Sequence, residues 1–539
     1  MILSYEGIKD AAAWQKAGIS LPAYDPKKLA DDTRKNPLWV HFGIGNIFRI
    51  FIGGIADKLI QDGLMDRGII CAETFDFDIV DKIYDPFNNL VLAVTLHADG
   101  KTDKQVLGSL TEALKAQPKF AACWTRLKEI FSSPSLQMVS FTITEKGYAL
   151  RGADGNYFGY VKSDMDNGPA NPSGAMAVVA SMLYERFKAG KYPLALVSMD
   201  NVSRNGKKLR DSVVETVKTW QEKGLVEAEF AAYVEDEKVI AFPWTMIDKI
   251  TPRPGDDVAS MLEADGVENM KPVVTSRSTY IAPFVNAEAP GYLVVEDSFP
   301  NGRPPLEKAG MYLTDRKTVN LSERMKVTAC LNPIHSALCT YDRMLGYTLF
   351  ADGMHDPELS ALARKLGYDE ALPVVEDPKI ISPRKFLDEC INERFPNPYL
   401  GDTSARIATD ISQGLAFRFG ETVKAYVARD GSAAKLQAIP LAVAGWVRYL
   451  LAVDDEGKPF ELSPDPMNAE MTEQLKGVVI GKPETLGVKL KPILSNKNIF
   501  GVDLYEAGLG AKVEGFVLEM LKGNGSVREC LKKNLTGRQ

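Results

Sequence analysis

The first strong pattern in the chain is a change of character at Pro37. Residues 1 to 35 are polar and helix-prone, and then an apolar run, Leu38-Trp39-Val40-His41-Phe42, leads into Gly43-Ile44-Gly45. A continuous buried-type run that ends in Gly-x-Gly predicts a central parallel strand entering a tight turn. From Asn46 to Ile60 the residues Ile47, Ile50, Phe51, Ile55 and Leu59 return at three- and four-residue steps, which predicts a helix with one face on a sheet. The run from Gly68 to Ala72 reads as the next strand and closes at Glu73. Together they make a strand, helix, strand unit of about 35 residues.

Further strands are predicted at Leu90 to Leu96, Met138 to Thr144, Leu194 to Met199 and Val239 to Phe242, with helices at 173 to 189 and 207 to 223 between some of them. This is α/β alternation. The clearest turn cluster, Phe299-Pro300-Asn301-Gly302-Arg303-Pro304-Pro305, marks a domain boundary near 300. Beyond it, 321 to 346, 357 to 365, 403 to 416, 433 to 452 and 511 to 533 carry helix-period apolar residues. The predicted organisation is an N-terminal extension (1–36), an α/β domain (37–300) and a mostly α-helical domain (301–539).

Composition narrows the function class. With 539 residues, a net charge of −7, 45% hydrophobic and 25% charged residues, the chain is of ordinary globular type. It has no basic stripe for nucleic acid and no run of roughly 18 apolar residues for a membrane span. The start, MILSYEGIKD, does not read as a secretory signal. Six cysteines without a C-x-x-C pair predict a reducing, cytoplasmic setting. The four histidines, His41, His97, His335 and His355, are too scattered for a local zinc site, so no metal is expected. A small molecule is the expected partner.

Gly43 and Gly45 stand where a dinucleotide fingerprint needs glycines. The first makes the turn, the second lets the backbone approach a pyrophosphate, and the following helix N-terminus supplies N–H groups. The third position, usually Gly or Ala, is Phe48. Glu73, at the end of the next strand, can accept from the adenosine ribose hydroxyls and would repel a 2′-phosphate, which favours NAD over NADP. The alternative is that it only caps a strand edge. A second constellation, Lys326, Asn332 and His335, lies in a mostly apolar helical stretch, with Asn332 and His335 on one face. By itself it reads more readily as a satisfied polar pair in a helical core than as a catalytic set.

The chain also resembles the polyol-specific long-chain dehydrogenases, the family that includes mannitol 2-dehydrogenase, fructuronate reductase and tagaturonate reductase. The resemblance rests on ordered segments from about residue 37 to 470: Val40-His41-Phe42-Gly43-Ile44-Gly45 with Arg49, Thr142-Ile143-Thr144-Glu145, Ser198-Met199-Asp200-Asn201 with Asn205-Gly206, Ile247-Asp248, the 323 to 335 stretch, and Asp402-Thr403 with Arg406. It implies a metal-independent dehydrogenase with a Rossmann-like NAD-binding N-terminal domain and a helical C-terminal domain. It further implies Lys326 as general acid/base, Asn201 and Asn332 as holders of the reacting oxygen, and His335 as substrate orienter. Glu323 would lie near the proton path, with Asp248 and Arg406 in the polyol pocket. Asn46, Arg49, Thr144 and Glu145 would join Gly43, Gly45 and Glu73 around the cofactor. Amide donors on a developing oxyanion and a buried lysine that exchanges the proton suit hydride transfer from a secondary alcohol.

The chain departs from the family pattern at two places. The family pattern is Lys-x4-Asn-x2-His, whereas five residues separate Lys326 from Asn332 here. On a regular helix the extra residue rotates Asn332 and His335 by about 100° relative to Lys326, so a π-type bulge is expected between Ala329 and Pro333. Relatives also carry a lysine where this chain has Gly414, in Ser412-Gln413-Gly414. The expected substrate is a hexonate or a hexitol. The N-terminal extension and an insertion near 253 to 275 look most like the bacterial fructuronate reductases, which implies D-mannonate and D-fructuronate; D-mannitol with D-fructose, or the tagaturonate pair, are the alternatives. A hexonate carboxylate needs a cation, for which Arg406 is the candidate and Arg384, Lys385 and Arg418 are nearby options. The non-enzymatic alternative is an NAD-binding sensor or structural protein.

Overall fold

The structure, a computed structural model, describes residues 1–535. It has two compact units, Met1–Asn320 and Leu321–Gln539. In the first unit, β1 (Trp39–Phe42), β2 (Ile69–Glu73), β3 (Leu110–Lys115), β4 (Met138–Phe141), β5 (Leu194–Ser198) and β6 (Ile240–Ala241) form one sheet in the order 3-2-1-4-5-6. Every neighbouring pair is parallel. This is the doubly wound dinucleotide-binding topology, and its strand order reverses between β1 and β4, where the crevice for a ligand opens beyond the strands' C-terminal ends.

Side chains alternate across this sheet with period two. Val40, Phe42, Ile70, Ala72, Val139 and Phe141 enter the core on one face, and Trp39, Ile69, Cys71, Met138 and Val197 enter the core on the other. Both faces are covered, so β1 is buried along its whole length. The expected helix after β1 begins with a π-helical turn, Phe48–Ile52, and continues as α1 (Gly53–Gln61).

The sequence reading misplaces several elements. Val91–Leu96 is not in the main sheet; it belongs to a four-stranded sheet with Ile19–Ser20, Thr102–Leu107 and Phe284–Glu288. The edge strand β3, Leu-Thr-Glu-Ala-Leu-Lys, has helix-favouring residues, and pairing with β2 overrides that preference. Residues 1–36 are no appendage: Leu3 and Trp14 are fully buried with Val258, Leu262, Val267 and Met270 of the insertion, and Glu268 donates its N–H to the Met1 carbonyl at 2.8 Å. The boundary lies at 320/321 and not near 300, because after the turn cluster Tyr312–Thr314 returns to pair parallel with Tyr292–Glu296.

The second unit is helical in the described residues. Helix α2 (Arg316–Met325), whose first residues close the first unit, runs into a π-helical turn, Lys326–Cys330, and α3 (Asn332–Leu345) follows. Helix α3 packs against α4 (Ala438–Tyr449), which is buried along its whole length. Among the described residues no helix is long and apolar enough to cross a membrane, and no three His, Cys, Asp or Glu side chains converge as a metal-ligand set.

The burial of the N-terminal segment has a measurable consequence. Trp14→Ala is expected to lower unfolding stability by about 3–5 kcal/mol, read as a fall in Tm, whereas a separate extension would leave Tm unchanged.

Candidate functional site

The turn after β1 is held from beneath by a chain of buried hydrogen bonds. Trp39 Nε1 donates to Ser140 Oγ at 2.7 Å, the His41 ring bonds Ser140 Oγ (2.6 Å) and Thr142 Oγ1 (2.8 Å), and Thr142 Oγ1 donates to the Gly43 carbonyl at 2.6 Å. Burial pushes the His41 imidazole well below its usual range, so it serves as a neutral linker. Phe48 stacks on the same ring at 3.9 Å, which is the reason for Phe at the third fingerprint position. Gly43 has φ +87°, and a β-carbon there would collide with the Thr142 carbonyl. Nothing lies within 4 Å of where a β-carbon of Gly45 would be. Beside that open space, Asn46 Oδ1 is buried without a hydrogen-bond partner. A required turn glycine and an open glycine before a helix N-terminus fit a dinucleotide pyrophosphate, and a buried acceptor awaiting a donor beside them suits a hydroxyl of the same ligand.

Glu73 caps the end of its strand, the alternative raised from sequence, and keeps one oxygen available for a further donor. Its Oε1 accepts from the backbone N–H groups of Thr74 (2.9 Å), Phe75 (2.8 Å) and Asp76 (3.3 Å), which caps the end of β2. Its Oε2 has only a long 3.4 Å contact with the Ile44 N–H and keeps acceptor capacity over the glycine turn. Burial raises the carboxyl's pKa, and these N–H donors oppose the rise.

Beyond β4 and β5 the organising residue is Asp200, whose role no sequence pattern marks. It accepts from the N–H groups of Ile143 (2.9 Å) and Thr144 (3.0 Å) and from the Tyr148 hydroxyl (2.5 Å). These bonds hold Thr144 at φ +62°, a costly conformation for a residue with a branched side chain. Asn205 closes the other end of the loop through the Asp200 carbonyl (3.0 Å) and Thr245 Oγ1 (2.8 Å). Asn201 is exposed between these two buried anchors, and Asp248 ends its strand with 8% exposure.

In the second unit, Lys326 opens the π-helical turn and is 2% exposed. The Leu331 N–H reaches back five residues to the Lys326 carbonyl at 3.1 Å, and α3 then starts at Asn332. The bulge lies three residues earlier than expected, and Pro333 is not its cause: it occupies the first turn of α3, where no N–H is needed. Asn332 and His335 are the half-exposed positions in the first turn of an otherwise buried stretch of α3. The His335 ring is set edge-on to Phe350 (4.7 Å) and against Phe395 (4.8 Å), partners that sequence spacing could not reveal. Glu323 is half-buried one turn before Lys326. Farther along α3, Asp342 is fully buried and accepts from Ser404 Oγ at 2.6 Å, and burial pushes its carboxyl well above the usual range.

Two family descriptions match the chain: the mannitol dehydrogenase Rossmann domain over residues 38–308 and the mannitol dehydrogenase C-terminal domain over residues 319–520. The chain belongs to the mannitol dehydrogenase family. It is 50% identical to the D-mannonate oxidoreductase of Thermotoga maritima over all of both chains. A solved D-sorbitol dehydrogenase superimposes with TM-score 0.79 at 25% identity, covering 96% of this chain and 98% of that one. The Pseudomonas fluorescens mannitol 2-dehydrogenase, solved with NAD and D-mannitol, shares the fold with TM-score 0.72 at 24% identity over all of both chains. The chain is thus a Rossmann-domain dehydrogenase.

Three site assignments made from the resemblance are corrected. Arg49 is fully buried, donates to the carbonyls of Ala282 (2.7 Å) and Pro283 (2.9 Å), and lies 5.8 Å from the Tyr84 ring. These bonds tie the π-helical turn to the 282–283 backbone, and burial pushes the guanidinium down to about 10. Glu145 is exposed and paired with Lys208, because the helix that starts at Thr144 turns it outward. Arg406 is 68% exposed and forms a two-point ion pair with Asp402 (2.7 and 2.6 Å), so the helical i, i+4 spacing commits its charge. Cys330 is buried with its Sγ 3.5 Å from the Pro383 carbonyl, and burial raises its thiol pKa, which makes it unreactive.

Gly45→Ala is expected to leave Tm unchanged yet weaken NADH binding at least about 10-fold, because its methyl group meets cofactor and not protein. Gly43→Ala is expected to lower Tm as well, and calorimetry with fluorescence titration separates the two. For Asp342, the native carboxyl stays protonated above the pH at which the unfolded one ionises. Its cost is absent below pH about 4 and grows as pH rises. Asp342→Asn is therefore expected to raise Tm at pH 7 and to have little effect at pH 4.

Proposed function

We propose that the chain is a cytoplasmic, NAD-dependent D-mannonate oxidoreductase that interconverts D-mannonate and D-fructuronate. The observation that carries this reading is the full-length 50% identity with the Thermotoga maritima protein of that name. The polar set on the Lys326 turn and α3 supports the chemistry.

NAD, when bound, exchanges a hydride with the carbinol carbon of the substrate. This chain's residues handle the proton and the developing charge. Lys326 Nζ takes the hydroxyl proton as the alcohol becomes a carbonyl and returns it in the reverse direction. The amide groups of Asn332 and Asn201 donate to the oxygen on which negative charge builds. His335, fixed by Phe350 and Phe395, orients the sugar chain. Glu323, half-exposed on the turn before, passes the proton toward solvent, and Asp248 accepts from substrate hydroxyls. Gly43, Gly45 and the backbone N–H of Asn46 hold the pyrophosphate, with Thr144 at the crest of β4. Glu73 accepts from the ribose, and a 2′-phosphate beside its carboxylate would bring like charges together in a buried place.

NADH absorbance followed with D-mannonate, D-mannitol, D-altronate and D-arabinitol tests the reading. Fastest turnover is expected with D-mannonate and NAD, with NADP the poorer cofactor and EDTA without effect. Lys326→Ala is expected to lower kcat by about 10²–10⁴-fold. Faster turnover of D-mannitol or D-altronate would replace the substrate, loss with EDTA restored by zinc would contradict the metal-free mechanism, and NADH binding without any turnover would make the chain a binding protein.

A further inference from the structure

A hexonate differs from a hexitol by one carboxylate, and a protein that separates them needs a cation held ready for it. Most of the cations near the site in sequence are already committed. Arg406 is bound at two points to Asp402. Arg384 is 67% exposed, pairs with Asp388 and lies over the Tyr368 ring, and Lys385 is exposed.

Arg418 differs from all three. It sits in a π-helical turn, Ala416–Gly420, that packs against the π-helical turn carrying Lys326. It is half-buried, and one of its five N–H donors goes to Ser336 Oγ at 2.7 Å. Among the described residues no carboxylate lies within ion-pair distance of it, and burial lowers the pKa of its guanidinium. A partly desolvated guanidinium bonded to a neutral hydroxyl is a costly arrangement that an anion would relieve.

Its location is set by two further observations. Ser336 lies four residues after Asn332 and one after His335, so the three side chains share an arc of about 100° on α3. Helical side chains lean toward the N-terminus, which brings Ser336 Oγ, and the guanidinium on it, toward the Asn332 turn. The guanidinium also fills the place of a missing side chain. A β-carbon on Gly414 would come within 3.0 Å of Nε, Cζ and Nη2 of Arg418. Gly414 is in a helix, Ile411–Leu415, at ordinary negative φ, so glycine is there for space and not for backbone conformation.

We propose that Arg418, in the position that Gly414 leaves open and Ser336 fixes, binds the carboxylate of the hexonate and gives the enzyme its preference over hexitols. This rests on the hexonate reading of the site. Gly414 is a positioning residue: it touches no substrate and acts by letting the guanidinium lie over its backbone.

The test is calorimetric binding of D-mannonate and D-mannitol to the NADH-loaded protein, in which no hydride transfer can occur, together with D-mannonate turnover. Arg418→Met is expected to weaken D-mannonate binding by at least about 30-fold, the loss typical of removing one partner of a buried charge pair. D-Mannitol binding should change less than about 3-fold. Gly414→Ala keeps the charge and moves it; a more favourable helix residue, it should hold or raise Tm yet reproduce most of the selectivity loss. The assignment is overturned if both variants bind and turn over D-mannonate like the parent, or if they lose affinity for both ligands equally, which would mark Arg418 as structural. A parent protein that neither binds nor turns over any hexonate overturns the substrate reading and this assignment together, whereas retained turnover in the variants overturns this assignment alone.

Discussion

The bond from the Leu331 N–H to the Lys326 carbonyl, one residue longer in reach than an α-helical bond, is the constraint that sets Lys326 relative to Asn332 and His335. Five residues separate Lys326 from Asn332, one more than the resemblance to the family led us to expect. A straight α-helix would turn the amide and imidazole about 100° out of register with the lysine. The π-helical turn takes up that residue within one loop of backbone, so α3 restarts at Asn332 with its face set. The turn is locked by burial: Lys326, Ala329 and Cys330 are all within the packed interior. The longer spacing is absorbed by backbone geometry and not by side-chain reach.

The first unit follows the complementary rule of a stiff frame around small open places. His41, Asp200, Asn205 and Arg49 are buried polar groups whose bonds go mainly to backbone or to short hydroxyl side chains. Each would be expensive to bury unsatisfied, so each restricts the loop it holds to one arrangement. Over this frame Gly45 leaves open space, and Asn46 Oδ1 and Glu73 Oε2 keep acceptor capacity. Rigid where it is full and unfilled where a ligand belongs, the crest of the sheet is preorganised for binding. Arg418 over Gly414 repeats the rule in the second unit, with a guanidinium in place of an open acceptor.

Much of this was legible in order along the chain. The run Trp39 to Phe42, the Gly-x-Gly and the helix period after it are local patterns, and local patterns reflect local backbone chemistry. Conversely, Arg49, Glu145 and Arg406 look alike in sequence: charged residues inside matching segments. Their fates diverge because Arg49 meets two carbonyls more than 230 residues away, Glu145 meets a lysine on the surface, and Arg406 meets an aspartate one turn back. The same non-local pairing drew Leu110–Lys115 into a strand and moved the unit boundary past residue 314.

The sequence by itself determined the α/β dinucleotide-binding character and the glycine turn with Glu73, because periodicity and residue chemistry are properties of neighbouring positions, while the lysine, amide and histidine set was marked only by its resemblance to a family. It also required some device to restore register between Lys326 and Asn332. Tertiary structure alone decided where that device lies, which polar groups face inward to brace and which remain open to bind, and that Arg418 rests on a hydroxyl and not on a carboxylate. Those outcomes depend on burial and on partners brought in from distant parts of the chain, and a charge is free or spent only once its neighbours in space are fixed.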